Sequence, residues 1–252
     1  MRLTFLGTGD PLGMPVIGCS CKHCKSSKRL RPSILVKTGN HNIIFDISPD
    51  ARQQMLAAGC KPSAFFVTHA HFDHFFGIGE LFQLFYLDEK PDFEIFMNKS
   101  TCNYFSTTFP WMKLPVKPLR YGTKYSFGNA QITPFIVEHS SVMETSGFII
   151  EEGNKKVVYM PDFKRVPNSA DMEMIKGADL LITDGQYVFG KYMEDDDHLN
   201  GTELLSFIDY VKPKKIFLMA VSEHFYKKSH EDMQKNLPGN IFIAKDMQRL
   251  EI

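Results

Sequence analysis

Three histidines and an aspartate crowd into six residues, His69-Ala70-His71-Phe72-Asp73-His74. The apolar run Ala64-Phe65-Phe66-Val67 precedes them and reads as a strand, which puts the cluster at a strand's C-terminal end. On extended backbone, side chains two residues apart face the same way, so His69 and His71 can present two imidazoles to one ion. A turn into a helix beginning at Ile78 would swing Asp73 and His74 to a second point nearby. Imidazole suits zinc, iron or manganese, and a carboxylate adds hardness and negative charge. A polar loop with chance histidines is the dull alternative, and the density of the run argues against it. A metal shell also needs distant partners. His139 follows the strand-like Gln131–Val137, and Asp162 follows the strand-like Lys156–Met160. Both lie at C-terminal ends of strands, where open sheets gather ligands. Asp162 could bridge two ions through its two oxygens. Alone, each has a plain explanation as a surface histidine or a turn-capping aspartate; beside the dense cluster they become candidate ligands.

A second constellation is Cys19-Ser20-Cys21-Lys22-His23-Cys24. Such short spacing lets one loop wrap one ion, and three thiolates suit a structural zinc. Lys22, Lys25 and Lys28 offset the thiolate charge. A redox pair, or thiols with no ligand, is the alternative. Cys60 and Cys102 read as small buried residues. Five cysteines in 252 residues are too sparse for a disulfide scaffold.

The elements that must position these residues are mostly strands. Short apolar runs bounded by Gly, Pro, Asn or Asp predict strands at Leu3–Leu6, Ser33–Lys37, Asn42–Asp46, Ala64–Thr68, Glu94–Met97, Gln131–Ile136, Gly147–Glu151, Lys156–Met160, Leu180–Thr183, Lys215–Val221 and Asn240–Ala244. Helices are predicted at Pro49–Ala58, Ile78–Leu87, Ser169–Lys176, Gly201–Val211 and Ser229–Asn236. That order favours an α/β protein of two sheets packed face to face with helices outside. Met172–Met174 and Phe75–Phe76 read as core packing, the run from Glu194 to Asp197 as a solvated acidic loop, and Pro110–Pro118 as a rim loop or a connection.

Hydrophobic residues at 43% and charged residues at 23% exclude wholesale disorder. Lys plus Arg is 29 and Asp plus Glu is 29, a balance that removes the bulk electrostatic argument for a nucleic-acid or anionic-membrane binder. Nothing reads as a signal peptide or a membrane span, and the expectation is a soluble cytoplasmic protein with no membrane partner.

The cluster at His69–His74, with the later His139 and Asp162, resembles the metallo-β-lactamase superfamily. That resemblance implies a single domain over 1–252 with the four-layer αββα sandwich (metallo-β-lactamase fold) and a Cys-rich zinc loop at 18–28. It implies that His69, His71 and His139 hold one metal, that Asp73 and His74 hold another, and that Asp162 bridges them. Phe5-Leu6-Gly7-Thr8-Gly9-Asp10-Pro11, Gly13-Met14-Pro15-Val16-Ile17-Gly18-Cys19-Ser20-Cys21, Phe45-Asp46-Ile47-Ser48-Pro49-Asp50 and Asp197-His198-Leu199-Asn200 narrow the likeness to the PhnP branch of cyclic-phosphate phosphodiesterases. It runs from Leu3 to Ala244. The branch implies a metal-dependent phosphoric diester hydrolase acting on a small cyclic or diester phosphate. A hydroxide bridging two zinc or manganese ions would attack phosphorus, and a third ion, zinc, would be structural. Asp73 and His198 then take catalytic roles, His198 reaching the phosphate or protonating the leaving oxygen. Thr68 and Asp46 would support the ligands, with Ser48 and Asp50 as weaker candidates.

One stretch departs from the branch. Its last strand typically ends in two histidines three residues apart, one for a catalytic metal and one for the structural zinc. Here Ala220 and Glu223 occupy those positions in Leu218-Met219-Ala220-Val221-Ser222-Glu223-His224. His224 is accordingly assigned to the second catalytic metal. His230 is assigned to the cysteine zinc, with His224 as its alternative there. The competing functions are a tRNA 3′-processing nuclease of the same superfamily and a non-catalytic metal-binding protein with a degenerate site. Nucleic acid ranks below a small phosphodiester as partner. Homodimers are common in such enzymes, though no residue here fixes one.

Overall fold

The computed structural model describes residues 1–87, 92–193 and 197–252. The strands are β1 (Arg2–Gly7), β2 (Ser33–Thr38), β3 (His41–Phe45), β4 (Ala64–Val67), β5 (Glu94–Met97), β6 (Val116–Pro118), β7 (Tyr125–Phe127), β8 (Ala130–Val137), β9 (Thr145–Glu152), β10 (Lys155–Met160), β11 (Leu180–Asp184), β12 (Ile216–Met219), β13 (Ile241–Ile243) and β14 (Arg249–Glu251). The helices are α1 (Lys22–Ser26), α2 (Ala51–Ala58), α3 (Phe72–Phe75), α4 (Ile78–Leu87), α5 (Lys99–Thr108), α6 (Ser169–Ile175), α7 (Gly201–Val211), α8 (Glu223–Tyr226) and α9 (His230–Gln234).

The strands form two seven-stranded sheets, ordered β14-β1-β2-β3-β4-β5-β6 and β13-β12-β11-β10-β9-β8-β7. In each, an antiparallel half passes into a parallel half: β3 to β6 run parallel in the first, and β10 to β13 in the second. The strands here carry apolar residues on both faces, as sheets covered on both sides must. One face of each sheet meets the other in a shared core. Phe5 packs on Phe217, and Phe45 packs on both Phe148 and Tyr159 across that interface. The outer face of the first sheet is covered by Ala51, Phe75, Ile78, Leu81 and Phe105, and that of the second by Ile175, Leu204, Ile208 and Met233. The order of layers is therefore helix, sheet, sheet, helix, as expected.

Local chemistry sets the boundaries. Asn200 caps α7 through the amides of Thr202 and Glu203, and the Glu203 carboxylate returns to the Asn200 amide. The sequence Lys99–Thr108 is poor in strong helix formers and shows no clear helical signal, yet Asn98 caps it through the Thr101 amide and Phe105 buries one face. The Pro-rich stretch 110–118 ends in β6, an edge strand, where a proline costs no ladder bond. Phe76 and Met174 are exposed rather than core, while Phe75 is fully buried and Met172 packs on the second sheet's outer core. Cys60 and Cys102 are half-buried. The acidic run lies outside the described residues at 194–196. Among the described residues no helix is long and apolar enough to cross a membrane.

Gly77 lets the turn that carries His69–His74 pack down on the loop after β3. A Cβ there would sit 2.0 Å from the Ser48 carbonyl oxygen. With no side chain in the way, the Gly77 amide donates to Ile47 and the Ile47 amide to His74. The turn after β3 and the turn after β4 are thus tied together beneath the site.

Candidate metal centres and active site

The C-terminal ends of several strands meet at one edge of the sandwich. β4 leads into His69 and His71, and the short α3 turns Asp73 and His74 back toward them. β8 delivers His139 and β10 delivers Asp162 from the opposite sheet. Donor atoms of His69, His71, His139 and Asp162 all lie within 4.8 Å of one another, and so do those of Asp73, His74 and Asp162. Asp162 belongs to both groups. His71 Nδ1 is 2.9 Å from His69 Nε2 and 3.1 Å from His139 Nε2. Asp162 Oδ2 is 3.6 Å from His69 Nε2, 3.7 Å from His139 Nε2 and 2.9 Å from His74 Nε2.

A support layer fixes which ring nitrogens face inward. Thr68 Oγ1 donates to Asp46 Oδ1 at 2.8 Å, so its remaining capacity accepts the Nδ1 proton of His69 at 2.9 Å. His74 Nδ1 donates to Asp46 Oδ2 at 2.8 Å, and His139 Nδ1 donates to the Asp197 carbonyl at 2.9 Å. Each ring then turns its Nε2 to the centre, the arrangement that orients metal-binding histidines. Asp46 also accepts from the Thr68 amide and the Tyr159 hydroxyl, both at 2.8 Å. It holds a left-handed φ of 63°, a strained backbone for a residue other than glycine, which these four bonds over-determine.

The residues fit divalent cations by donor chemistry and by an orphaned atom. His74 Nε2 is buried and makes no well-formed hydrogen bond, although carboxylate oxygens of Asp162 and Asp73 lie 2.9 and 3.1 Å away. Three donors converging without hydrogen-bond geometry are what a cation between them would collect. Burial opposes charge on His74, but Asp73, Asp162 and Asp46 outweigh it and hold its pKa well above the usual histidine range. Burial, and then its histidine neighbours, pushes His69 well below that range. Burial likewise lowers His71. Asp162 is also deeply buried, yet the adjoining His74 keeps its carboxyl well below the carboxylate range. Proton and metal compete for the same lone pairs here.

His198 stands beside this centre. Its ring lies 4.8 Å from that of His139, and its Nδ1 is 2.6 Å from Asp184 Oδ2. Asp184 escaped the sequence reading, although it ends β11 as Asp162 follows β10, and the same strand-end rule reaches it. Ser48 and Asp50 serve structure instead: Ser48 donates to Gln54, and Asp50 pairs with Arg31.

The cysteine loop forms a separate group, and here two assignments change. His224 does not join Asp73 and His74. Its Nδ1 lies 3.5, 3.7 and 3.5 Å from the sulfurs of Cys19, Cys21 and Cys24. His230 does not join the cysteines; its Nδ1 accepts from Arg29 Nη2 at 2.9 Å. The reason is local. The chain enters α8 at Glu223, so His224 is carried toward α1 while Glu223 turns inward to a buried ion pair with Arg29 at 2.8 Å. Burial, then the Arg29 charge, lowers His230 to about 4, so it is a neutral acceptor. Ala220, with φ 59°, offers no donor. The Cys24 amide, and then His224, lowers the half-buried Cys21 thiol to about 6. Sulfur and imidazole in a closed set of four suit zinc.

Residues 41–219 match the profile of the beta-lactamase superfamily domain. The fold superimposes on the crystal structure of a new diphosphatase from the PhnP family with TM-score 0.83 and 28% identity, over 100% of this chain and 97% of that one. A ribonuclease Z from Pyrococcus furiosus is 20% identical over 309 aligned positions, covering 99% of this chain and 95% of its own. An octanoyltransferase from Porphyromonas gingivalis is 44% identical over 87 residues, which is 32% of this chain and only 18% of that protein.

Proposed function

This chain belongs to the beta-lactamase superfamily, and we propose that within it the chain works as a metal-dependent phosphoric diester hydrolase on a small cyclic or diester phosphate. The observation that carries this reading is the buried Asp162 carboxylate shared by two adjoining donor groups, with the His198–Asp184 pair alongside. A diphosphatase and a ribonuclease among the similar proteins support chemistry at phosphorus.

Under this reading His69, His71, His139 and Asp162 hold one divalent ion, zinc or manganese, and Asp73, His74 and Asp162 hold the other. A bound ion pair supplies positive charge for the phosphoryl oxygens and acidifies water. The protein's own side chains do the remaining work. Asp46 and Thr68 keep the imidazoles aimed inward. Asp184 holds His198 by Nδ1 and stabilises its imidazolium, so that Nε2 carries the proton delivered to the leaving oxygen. Cys19, Cys21, Cys24 and His224 hold a structural zinc.

The test is hydrolysis of bis(p-nitrophenyl) phosphate by protein loaded with manganese or zinc. His71→Ala should lower turnover by about 100-fold or more, the scale of losing a group that stabilises developing charge. A fully metallated sample with no activity on any simple diester would sink the reading. The full-length alignment with ribonuclease Z favours a nuclease as the second reading. A 3′-extended tRNA, offered beside the small diester, separates the two by which is cleaved.

A further inference from the structure

Asp10 follows the end of β1 and is only 1% exposed. Its Oδ1 accepts the amides of Leu12 and Gly13 at 3.1 and 3.0 Å. Its Oδ2 is buried and has no hydrogen-bond partner. Ser222 adjoins it, close enough for its hydroxyl to favour the Asp10 carboxylate, yet that hydroxyl is likewise buried and makes no well-formed hydrogen bond. So is the hydroxyl of Tyr192, which feels the Asp10 charge. Asp73 lies near enough to set its own negative charge against Asp10. A buried carboxylate oxygen left unpaired is heavily penalised, and a second carboxylate facing it adds repulsion. A cation beside them removes both penalties. The Asp10 oxygen is not part of the tight group of Asp73, His74 and Asp162, so a link from it to an ion there would run through a water rather than directly. Three unpaired polar groups are the number a buried water needs.

We propose that Asp10 is a positioning residue for the ion at Asp73, His74 and Asp162, its Oδ2 holding a water on that ion together with the hydroxyls of Ser222 and Tyr192. Asp10 supplies a negative charge and an oxygen donor near Ala220, whose amide donates to Thr8 and whose side chain supplies none. This rests on reading that group as a metal site, and its test therefore counts ions rather than turnover.

Asp10→Asn keeps Oδ1 for the two amides and removes the charge at Oδ2. Manganese is titrated into the full chain, with elemental analysis for stoichiometry and electron paramagnetic resonance for the spin-coupled signal of a manganese pair. The wild-type chain should take two manganese ions and show the coupled signal. D10N should bind the first ion with unchanged Kd and the second about 10–100-fold more weakly, the scale for losing a partner that supports a metal. The coupled signal should be absent at concentrations that saturate the wild type. An unchanged second Kd in D10N overturns the proposal. A single ion in the wild type also overturns it, while diester turnover by that single-ion protein would leave the proposed function standing. Should D10N fail to fold, the Ser222→Ala, Tyr192→Phe double variant removes the water's other partners. A second Kd several-fold weaker supports the proposal, and an unchanged one overturns it.

Discussion

The cysteine donors and the histidine and aspartate donors of this chain solve opposite problems. The cysteine group draws three of its four donors from one short loop, and Cys19, Cys21 and His224 are only partly buried. Backbone amides aim its sulfurs: Cys21 donates to Cys19, and Cys24 to Cys21. The histidine and aspartate group gathers donors from both sheets, with His69 and His74 fully buried. Side chains aim these, through Asp46, Thr68 and Tyr159. A closed set of three sulfurs and one imidazole leaves no position for a substrate, whereas adjoining donor groups that share one carboxylate leave open sides on any ion they hold. The contrast is that between fastening a loop and performing a reaction.

Removing the shared carboxylate should break that contrast most sharply. Asp162→Ala touches both halves of the histidine and aspartate centre, and turnover should fall by about 1000-fold while elemental analysis still finds the cysteine-bound zinc. Loss of the zinc as well would show that the two groups are one cooperative unit.

Cys24→Ser should do the reverse. Metal analysis should show one zinc fewer, and the thermal midpoint should fall by several degrees, at about 2–4 °C per kcal/mol for a chain of this size. Turnover should drop far less than for Asp162→Ala. Some drop is expected, because Phe225, next to His224, stacks on Tyr192 at 4.1 Å between ring centres.

The pH response of the thiols sharpens the comparison further. Cys21 is lowered to about 6 by the Cys24 amide and His224, so in metal-stripped protein it is thiolate above that pH and thiol below it. Alkylation by iodoacetamide should therefore reach half its plateau rate near pH 6. Cys102, which burial raises to about 11, should stay inert at pH 7. Peptide mapping at a series of pH values checks both. Zinc uptake should weaken below pH 6, where metal must displace the Cys21 proton.

The smallest effect is expected from Tyr159→Phe. It removes one of four hydrogen bonds to Asp46 and should cost about 1 kcal/mol in urea unfolding, with a modest loss of turnover and no loss of metal.

Much of this was legible from residue types. The density of His69–His74 pointed to a metal, and strand-end logic found His139 and Asp162. Apolar runs located β4, β5 and β10 within a residue or so. What escaped was whatever depends on three-dimensional neighbours. β7 and β14 are three-residue edge strands with too few residues to show a period. Asp10 and Asp184 look like ordinary turn and strand-end aspartates until the fold buries them. His224 was misassigned because a one-residue difference in spacing, harmless on a loop, rotates a side chain by about 100° on a helix. The buried Arg29–Glu223 pair, which occupies Glu223, has no signature at a separation of 194 residues.

Asp46 carries one more consequence. It stands at the end of a first-sheet strand, yet one of its four bonds comes from Tyr159 in the second. His139 and Asp162 reach the centre from that same second sheet. A nascent chain that has released only its first half therefore owns His69, His71, Asp73 and His74 but lacks the walls that close around them. Ion capture at this centre would then report that the two halves have docked, and the cysteine group, whose fourth donor His224 emerges later than Asp162, would close later still.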